Sequence, residues 1–420
     1  MYRYSLLGRL PKPSKVSRIC SKSRLVWLFI SLVVVLVFMI GGRYLIWGTR
    51  VNYPTFSFIS VADSVCDDSP GKAVKQNPVI PNLVHYVWLL KDPAELRLGF
   101  KFFVSIYSAH LFWHPDRIYI HTDAAPEVIS RARDSGTPWT RRILAIPNLE
   151  FNHVVAPLAT NKGVKIERTE HKADFLRLSI LREFGGVYLD TDAIPLRDIA
   201  DLRTSGFRAV VGQQLGLSIW VANRLNNGVM MAAPQSNLMT IFYHSAHEFF
   251  DGGWDTASIR LLTDLGNRLA ALPHEVLILQ PHAFSPIGWQ TEDQHNLFQP
   301  TLDPATALAA DSAQREQDLK LKAAGGEGEA GTCGDVLAWM KQREMGRKGK
   351  KEKGELDFSS SYVLHAFDNG VQGFLGEGRD IDVRYVLERK SNYARAVFPA
   401  VWRAVEDGVI PREEVSWEGR

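Results

Sequence analysis

Residues 171–198 read HKADFLRLSILREFGGVYLDTDAIPLRD, and this stretch decides both the fold and the chemistry. An apolar run, VYL, follows a Gly-Gly break and ends in two carboxylates, Asp190 and Asp192. In a β-strand, residues i and i+2 point to the same face. The pattern therefore predicts two carboxylates on one face at the C-terminal end of a buried strand. Such oxygens hold Mg²⁺ or Mn²⁺ with substrate phosphates, and open α/β sheets bind ligands at that edge.

A predicted helix precedes this strand. Residues 172–184 have apolar positions at helical spacing, and Gly185 and Gly186 end the helix. Asp174 and Arg177 lie one helical turn apart on it. Taken alone, that pair indicates a surface ion pair of small energetic value, and a bare D-x-D also fits acidic residues at an exposed strand end. The fixed spacing between the two motifs is what favours a functional site.

The rest of the chain alternates between short apolar runs and segments of helical spacing. Strands are predicted at 79–90, 117–123, 187–189, 208–213, 218–222, 228–232 and 276–280, and helices at 95–112, 126–136, 172–184, 236–250, 256–271 and within 382–407. A return to the core is predicted at 361–370. This alternation predicts an α/β fold with a mostly parallel, Rossmann-like sheet flanked by helices.

The N-terminus has the pattern of a membrane anchor. Residues 1–24 carry seven Lys and Arg and no acid, whereas residues 25–42 are apolar and uncharged. Eighteen helical residues span roughly 27 Å, close to the thickness of a hydrocarbon core. With an interfacial extension, the predicted transmembrane signal anchor covers 25–47. The positive-inside rule keeps residues 1–24 in the cytosol, which predicts a single-pass type II protein. A cleaved signal peptide is the alternative.

Composition divides the remainder of the chain. Residues 48–78 read as a polar, turn-rich stem, and 79–300 with 358–420 as one folded domain. Residues 301–357, rich in Ala, Gly, Glu and Lys, read as a low-complexity, partly disordered insertion. The net charge of +3 gives no reason to expect a nucleic-acid partner.

The spacing of the two motifs resembles that of a known enzyme family. D-x-x-R followed by GG-x-Y-x-D-x-D reads here as Asp174, Arg177, Gly185, Gly186, Tyr188, Asp190 and Asp192. Two further matches are IPNLVHYVW at 80–88 and VLILQPHAFSPIGW at 276–289. The chain is similar to glycosyltransferase family 32, whose members contain a DXD motif and have the GT-A fold. The resemblance therefore implies that 79–300 and 358–420 form a GT-A catalytic domain.

The resemblance implies donor-binding roles for six residues: Trp88, Asp174, Arg177, Tyr188, Asp190 and Asn227. Asp174 and Arg177 would bind the donor sugar and orient its anomeric carbon. Trp88 would stack on the nucleobase, with a core tryptophan as the alternative. Tyr188 would line the nucleotide pocket or simply pack. Asn227, in an Asn-Asn-Gly stretch before the apolar run VMMAA, would line the acceptor side of the site or belong to a turn.

The resemblance also implies a metal site. Asp192 would bind the cation directly, and Asp190 would face the sugar nucleotide and contact the metal through water. His365 matches in part the family's C-terminal H-x-W segment, which closes the metal and diphosphate site. Phe367 stands where that segment has Trp.

The function implied by the resemblance is a retaining, Mn²⁺- or Mg²⁺-dependent hexosyl transfer in the Golgi or ER lumen. The donor would be GDP-mannose or a UDP-hexose, and the acceptor a glycan or a sphingolipid. A front-face route, in which the leaving diphosphate helps to deprotonate the acceptor, is expected, because the sequence shows no obvious spare acid for a double displacement. The alternatives are a catalytically inactive glycan-binding or scaffold protein and a nucleotide-sugar hydrolase.

Overall fold

A computed structural model describes residues 79–215, 224–304, 354–367, 375 and 380–411 of the 420-residue chain. The predicted cytosolic tail, membrane anchor and stem all lie outside these residues, as do the predicted strand at 218–222 and most of the predicted insertion. Within the described part of the chain, no helix has both the length and the apolarity needed to cross a bilayer.

A mixed seven-stranded sheet forms the centre of the domain. Its strands are β1 (Leu83–Trp88), β2 (Arg117–Thr122), β3 (Leu149–His153), β4 (Gly186–Leu189), β6 (Ala209–Gln213), β7 (Leu225–Ala232) and β8 (Val276–Leu279). They lie in the order β3-β2-β1-β4-β7-β6-β8. Strand β7 runs antiparallel to β4 and β6, and the other neighbours pair in parallel. A separate antiparallel pair consists of β5 (Ala193–Pro195) and β9 (Val363–His365).

Helices connect and cover these strands. They are α1 (Phe100–Trp113), α2 (Pro126–Ser135), α3 (Pro138–Leu144), α4 (Thr169–Phe184), α5 (Ala200–Arg203), α6 (Asn237–Phe249), α7 (Leu261–Leu269), α8 (Pro281–Phe284), α9 (Thr291–Phe298), α10 (Val383–Glu388) and α11 (Asn392–Glu406). A π-helical turn, Thr256–Arg260, precedes α7.

The central sheet is covered on both faces, as β1 shows. Side chains alternate between the faces of a strand. Trp88 stacks on Phe102 of α1, with ring centroids 5.0 Å apart. His85, on the opposite face, lies 5.9 Å from Phe184 of α4. The α/β fold with a mostly parallel, Rossmann-like sheet, which the sequence predicted for a GT-A-like domain, is therefore confirmed.

Several elements differ from the sequence prediction. Helix α3 and strand β3 were not predicted. Strand β3 is an edge strand whose LEFNH sequence is only partly buried, so it lacks the apolar run of a central strand. The predicted helix at 256–271 is instead the π-helical turn followed by α7.

Candidate metal centre and its surroundings

Asp190 and Asp192 lie in the turn that joins β4 to β5. The prediction that both carboxylates lie on a strand was wrong, because β4 ends at Leu189. The Asp190 N–H donates to the Gly228 carbonyl at 2.8 Å, and the Asp190 carbonyl accepts from the Ala193 N–H at 3.0 Å. Two carboxylates two residues apart are thus brought together by a hydrogen-bonded turn, not by the pleat of a strand.

His365 joins these carboxylates from a distant part of the chain. It ends β9, where it pairs with Ala193 of β5. The Ala366 N–H donates to the Asp192 carbonyl at 3.0 Å, which fixes the two segments together. Nε2 of His365 lies 3.4 Å from Oδ1 of Asp192 and 3.8 Å from Oδ2 of Asp190.

The chemistry of these three side chains fits a divalent cation. One atom from each of Asp190, Asp192 and His365 lies within 4.8 Å of the others. Carboxylate and imidazole ligands suit divalent first-row metals. Burial alone would lower the pKa of His365, but the neighbouring Asp192 and Asp190 carboxylates outweigh it and raise that pKa. Negative charge therefore accumulates at this point, and a bound cation would relieve it.

Gly228 leaves room for this cluster. A Cβ atom on Gly228 would lie 2.6 Å from Oδ2 of Asp190 and closer still to Cε1 of His365. Both distances are below van der Waals contact. Strand β7 therefore passes directly against two of the three metal-ligand candidates, at a position where any side chain would collide with them.

Arg177 links the DXD turn to α4. Its side chain is 6% exposed. Nη1 donates to the Asn227 carbonyl at 2.8 Å and contacts Oδ1 of Asp190 at 3.1 Å, while Nη2 contacts Oδ1 of Asp174 at 3.1 Å. Tyr188 lies beneath, with its ring centroid 4.6 Å from the guanidinium carbon. Burial opposes the charge of Arg177, but Asp190, Tyr188 and Asp174 outweigh it and raise its pKa, which favours the charged guanidinium.

Asp174 is held from two sides. Nδ2 of Asn227 donates to its Oδ1 at 2.8 Å, and Arg177 contacts the same oxygen. Burial raises the pKa of Asp174 to about 6, with Asp190 adding to the effect and Arg177 opposing it. The alternative of a surface ion pair is excluded, because Arg177 is buried, Asp174 is largely buried and the pair connects to the DXD turn.

An irregularity in β7 places Asn227 and Gly228. Along the pairing with β6, Val211 pairs with Met230, whereas the next residue, Gly212, pairs with Asn226. The pairing therefore skips residues 227–229 of β7, which form a bulge. Oδ1 of Asn226 accepts from the Gly228 N–H at 2.8 Å and closes the irregular segment. The Asn-Asn-Gly stretch therefore lies inside β7, which excludes the alternative of a turn before the strand.

The structure brings seven of the eight predicted site residues into one hydrogen-bonded group. These are Asp174, Arg177, Tyr188, Asp190, Asp192, Asn227 and His365. Tyr188 is 2% exposed and donates its hydroxyl to Oδ1 of Asp190 at 2.8 Å. This burial agrees with the alternative in which Tyr188 packs inside the domain. Trp88 lies apart at the C-terminal end of β1, half-buried against Phe102. Its stacking on a nucleobase stays a prediction, as do the donor roles of the others.

Two residues of the site were missed by the sequence prediction. Gly228 is one, because the sequence analysis singled out the Asn-Asn-Gly stretch that contains it but gave the glycine no role of its own. Gln294 of α9 is the other, since Nε2 donates to the carbonyls of Ala366 at 2.9 Å and Gly288 at 3.2 Å. It thereby fixes the chain directly after His365. No local motif marks Gln294, because its partners are distant in sequence.

Comparisons with known proteins point to the same chemistry. A family model described as a glycosyltransferase sugar-binding region containing a DXD motif matches residues 104–208. Glucan organizing enzyme 1 of Cryptococcus neoformans var. grubii is 28% identical over 233 residues, which are 53% of this chain. The chain covers 59% of the length of that relative.

Two solved glycosyltransferases are similar to the chain over part of its length. The PaToxG glycosyltransferase is 15% identical, with 46% of this chain and 71% of that chain covered and a TM-score of 0.32. The glycosyltransferase GlyE of Streptococcus pneumoniae is 11% identical, with 79% of this chain and 64% of that chain covered and a TM-score of 0.33. At these low TM-scores, the fold assignment rests on the order and direction of the chain's own strands. The match over 104–208 confirms the resemblance that Asp174, Arg177 and the DXD carry, and this part of the chain is similar to the sugar-binding region of DXD-containing glycosyltransferases.

Proposed function

We propose that this chain transfers a hexose from a nucleotide sugar to a saccharide acceptor, with Mn²⁺ or Mg²⁺ as its cofactor. The observation that carries the proposal is the convergence of Asp190, Asp192 and His365 beside the buried Asp174–Arg177 pair. A catalytically inactive scaffold would not require a metal-ligand set, a buried cation and a buried carboxylate joined in one network.

The protein's own residues have separate tasks in this scheme. Asp192, Asp190 and His365 would hold the cation, which as a Lewis acid would neutralise the leaving diphosphate. Arg177 keeps Asp190 and Asp174 at a fixed separation, because it contacts both. Asp174 would accept a hydrogen bond from a hydroxyl of the donor sugar. Preorganised charge and positioning, more than covalent chemistry, would supply the rate enhancement.

Retention of the anomeric configuration is part of the proposal. Oδ1 of Asp174 is occupied by Asn227 and Arg177, and Oδ1 of Asp190 by Tyr188 and Arg177. Arg177 orients both carboxylates and partly neutralises their charge, so we assign them positioning roles and not the role of a covalent nucleophile. A front-face route, in which the leaving diphosphate takes the acceptor proton, agrees with this arrangement.

The donor, the acceptor and the location are also proposals. GDP-mannose and the UDP-hexoses remain the donor candidates, and a glycan or a sphingolipid the acceptor. The name of the Cryptococcus relative refers to glucan organisation, which makes a glucan the first acceptor to test. We propose a type II orientation in the Golgi or ER membrane because of the basic segment 1–24 and the apolar segment 25–42.

A panel of nucleotide sugars tests the proposed function. The full chain is incubated with Mn²⁺, each donor and a glucan acceptor, and both transfer and donor hydrolysis are measured. We expect turnover with at least one donor, loss of turnover in excess chelator, and an α-linked product from an α-linked donor. Asp134→Ala, which removes an exposed carboxylate on α2, should retain this activity. Full turnover in chelator, or an inverted product, would contradict the metal role or the retaining route respectively.

A further inference from the structure

The imidazole of His365 lacks the hydrogen bond that usually orients a metal-binding histidine. Such a ligand normally donates from its second ring nitrogen to a carboxylate or a carbonyl, which fixes the direction of the ring. Here Nε2 lies toward Asp192 and Asp190, so Nδ1 is the second nitrogen. Nδ1 is buried and has no hydrogen-bond partner among the residues that the structure describes. Within that part of the chain, a different kind of contact sets the orientation of the ring.

Phe367 supplies such a contact. Its ring stacks on the imidazole of His365, with the two ring centroids 4.0 Å apart and the two planes inclined by 27°. Aromatic pairs of this kind add stability beyond the apolar area that they bury. Cε1 of the same imidazole lies against Gly228, where even a Cβ atom would collide with it. The imidazole is therefore bounded by the backbone of β7 at one edge and by a phenyl ring on one face.

The backbone of Phe367 has a conformation that a bulky residue disfavours. Its φ is +49°, in the left-handed region that non-glycine side chains rarely adopt. Phe367 is only half-buried, so burial of its ring in the core does not account for this conformation. Residues held in such backbone conformations cluster at ligand sites, where the surrounding contacts keep them in place. The contact that accompanies this conformation is the stacking on His365, where β9 ends.

Gln294 anchors the peptide between the two rings. It is 3% exposed, and its Nε2 donates to the Ala366 carbonyl at 2.9 Å. The Ala366 N–H donates to the Asp192 carbonyl at 3.0 Å. Ala366 is thus hydrogen-bonded through both of its backbone polar groups. The left-handed bend at Phe367 therefore starts from a fixed point, and the position of its ring over His365 is fixed as well.

We propose that Phe367 is a positioning residue of the metal centre: its ring holds the imidazole of His365 in the orientation that binds the divalent cation. The affinity for the cation then depends on an aromatic ring at position 367. This inference rests on the proposed function, because it requires the cluster of Asp190, Asp192 and His365 to bind a cation.

Substitutions of Phe367 separate its effect on the cation from its effect on stability. The full chain is titrated with Mn²⁺ alone, and then in the presence of UDP and of GDP, while the electron paramagnetic resonance signal of free Mn²⁺ is measured. Phe367→Gly and Phe367→Ala both remove the ring and should weaken Mn²⁺ binding about two- to tenfold. In thermal melts, Phe367→Gly should nevertheless be more stable than Phe367→Ala, because glycine adopts a positive φ without strain.

Two further variants serve as the rescue and the control. Phe367→Trp keeps an aromatic ring at this position and should bind Mn²⁺ with the affinity of the parent. His114→Gly is the matched control, because His114 also has a positive φ, 43°, but is exposed in the turn after α1. It should leave Mn²⁺ binding unchanged.

Three results would overturn the inference while the proposed function stands. One is an Mn²⁺ affinity in Phe367→Gly equal to that of the parent. Another is a loss of affinity in Phe367→Trp as large as in Phe367→Ala. The third is an affinity that follows the melting temperature across the glycine and alanine variants, because the role of Phe367 would then be structural alone. A parent that binds no Mn²⁺ under any of the three conditions would instead contradict the metal role in the proposed function, and the inference with it.

Discussion

Gly228 is the residue on which the geometry of the metal centre depends most tightly. A methyl group there would overlap with Oδ2 of Asp190 and Cε1 of His365. Gly228→Ala should therefore displace both side chains and weaken Mn²⁺-dependent nucleotide binding at least about tenfold, while overpacking costs about 1–3 kcal/mol of stability. Calorimetric titration with Mn²⁺ and nucleoside diphosphates, together with a thermal melt, measures the two effects.

Gly99→Ala is the control for this substitution. A Cβ atom on Gly99 meets nothing within 4 Å, and its φ of −104° is open to any residue. The control should bind metal and nucleotide as the parent does. Unchanged nucleotide binding in Gly228→Ala would show that His365 and Asp190 do not act together as ligands.

At the residue scale, the sequence predicted what local spacing encodes. Asp174, Arg177, Asp190 and Asp192 lie on one continuous helix–strand–turn stretch, so their mutual spacing could be read directly. His171 of α4 and Trp254, whose ring centroids lie 5.7 Å apart, were not predicted to meet, because they come together only when the segment after α6 folds against α4. A lone histidine and a lone tryptophan carry no local signal of that contact.

At the element scale, a buried hydrogen-bond chain runs across the first three strands. Nδ1 of His85 and Nε2 of His121 lie 3.0 Å apart, Nδ1 of His121 lies 2.9 Å from Nδ2 of Asn152, and Nε2 of His85 lies 2.9 Å from the Gly185 carbonyl. The chain thereby anchors the Gly185-Gly186 break that leads into β4. Burial lowers the pKa of His85 to about 4, with the hydrogen bond to Gly185 opposing it. Burial, with charge repulsion from His85 added to it, lowers the pKa of His121 to about 3.

The buried hydrogen-bond network of His85 and His121 predicts that the domain loses stability in acid. The unfolded histidines take up protons below about pH 6.5, whereas the folded ones, with depressed pKa values, do not. The free energy of unfolding should therefore fall as pH decreases below 6.5, by up to about 1.4 kcal/mol per pH unit for each histidine. Urea unfolding at pH 7.5 and at pH 5 measures the difference.

The double variant His85→Gln/His121→Gln should flatten this pH dependence, although its stability at neutral pH will be lower. His244→Gln, on the exposed side of α6, should leave the dependence unchanged. A dependence as steep in the double variant as in the parent would show that other groups cause the acid instability.

The strands and helices were predictable to different degrees. Helix α4 and strand β4 followed from the apolar spacing and the Gly-Gly break. Strand β7 was found in part, but its antiparallel direction and its irregularity depend on pairing with β4 and β6, which local sequence does not specify. Strand β9 was expected only as a return to the core, since its partner β5 is far away in sequence.

At the scale of the whole molecule, the function depends on three distant segments meeting at one point. The DXD turn, the irregular part of β7 and the end of β9 are separated by long stretches of chain, and the sheet and the β5–β9 pair bring them together. Aspartates from the turn and a histidine from β9 form the cluster, while Asn227 and Gly228 of β7 shape its back wall.

Calorimetric titration of the full chain with UDP and with GDP, with Mn²⁺ and with chelator, tests this account most directly. The account predicts that one diphosphate binds only when Mn²⁺ is present. Asp192→Ala should abolish that binding while its melting temperature stays close to the parent's, and Asp134→Ala should bind as the parent does. Binding of equal strength in chelator, or undiminished Mn²⁺-dependent binding in Asp192→Ala, would contradict the assignment of this cluster as the metal centre of a glycosyltransferase.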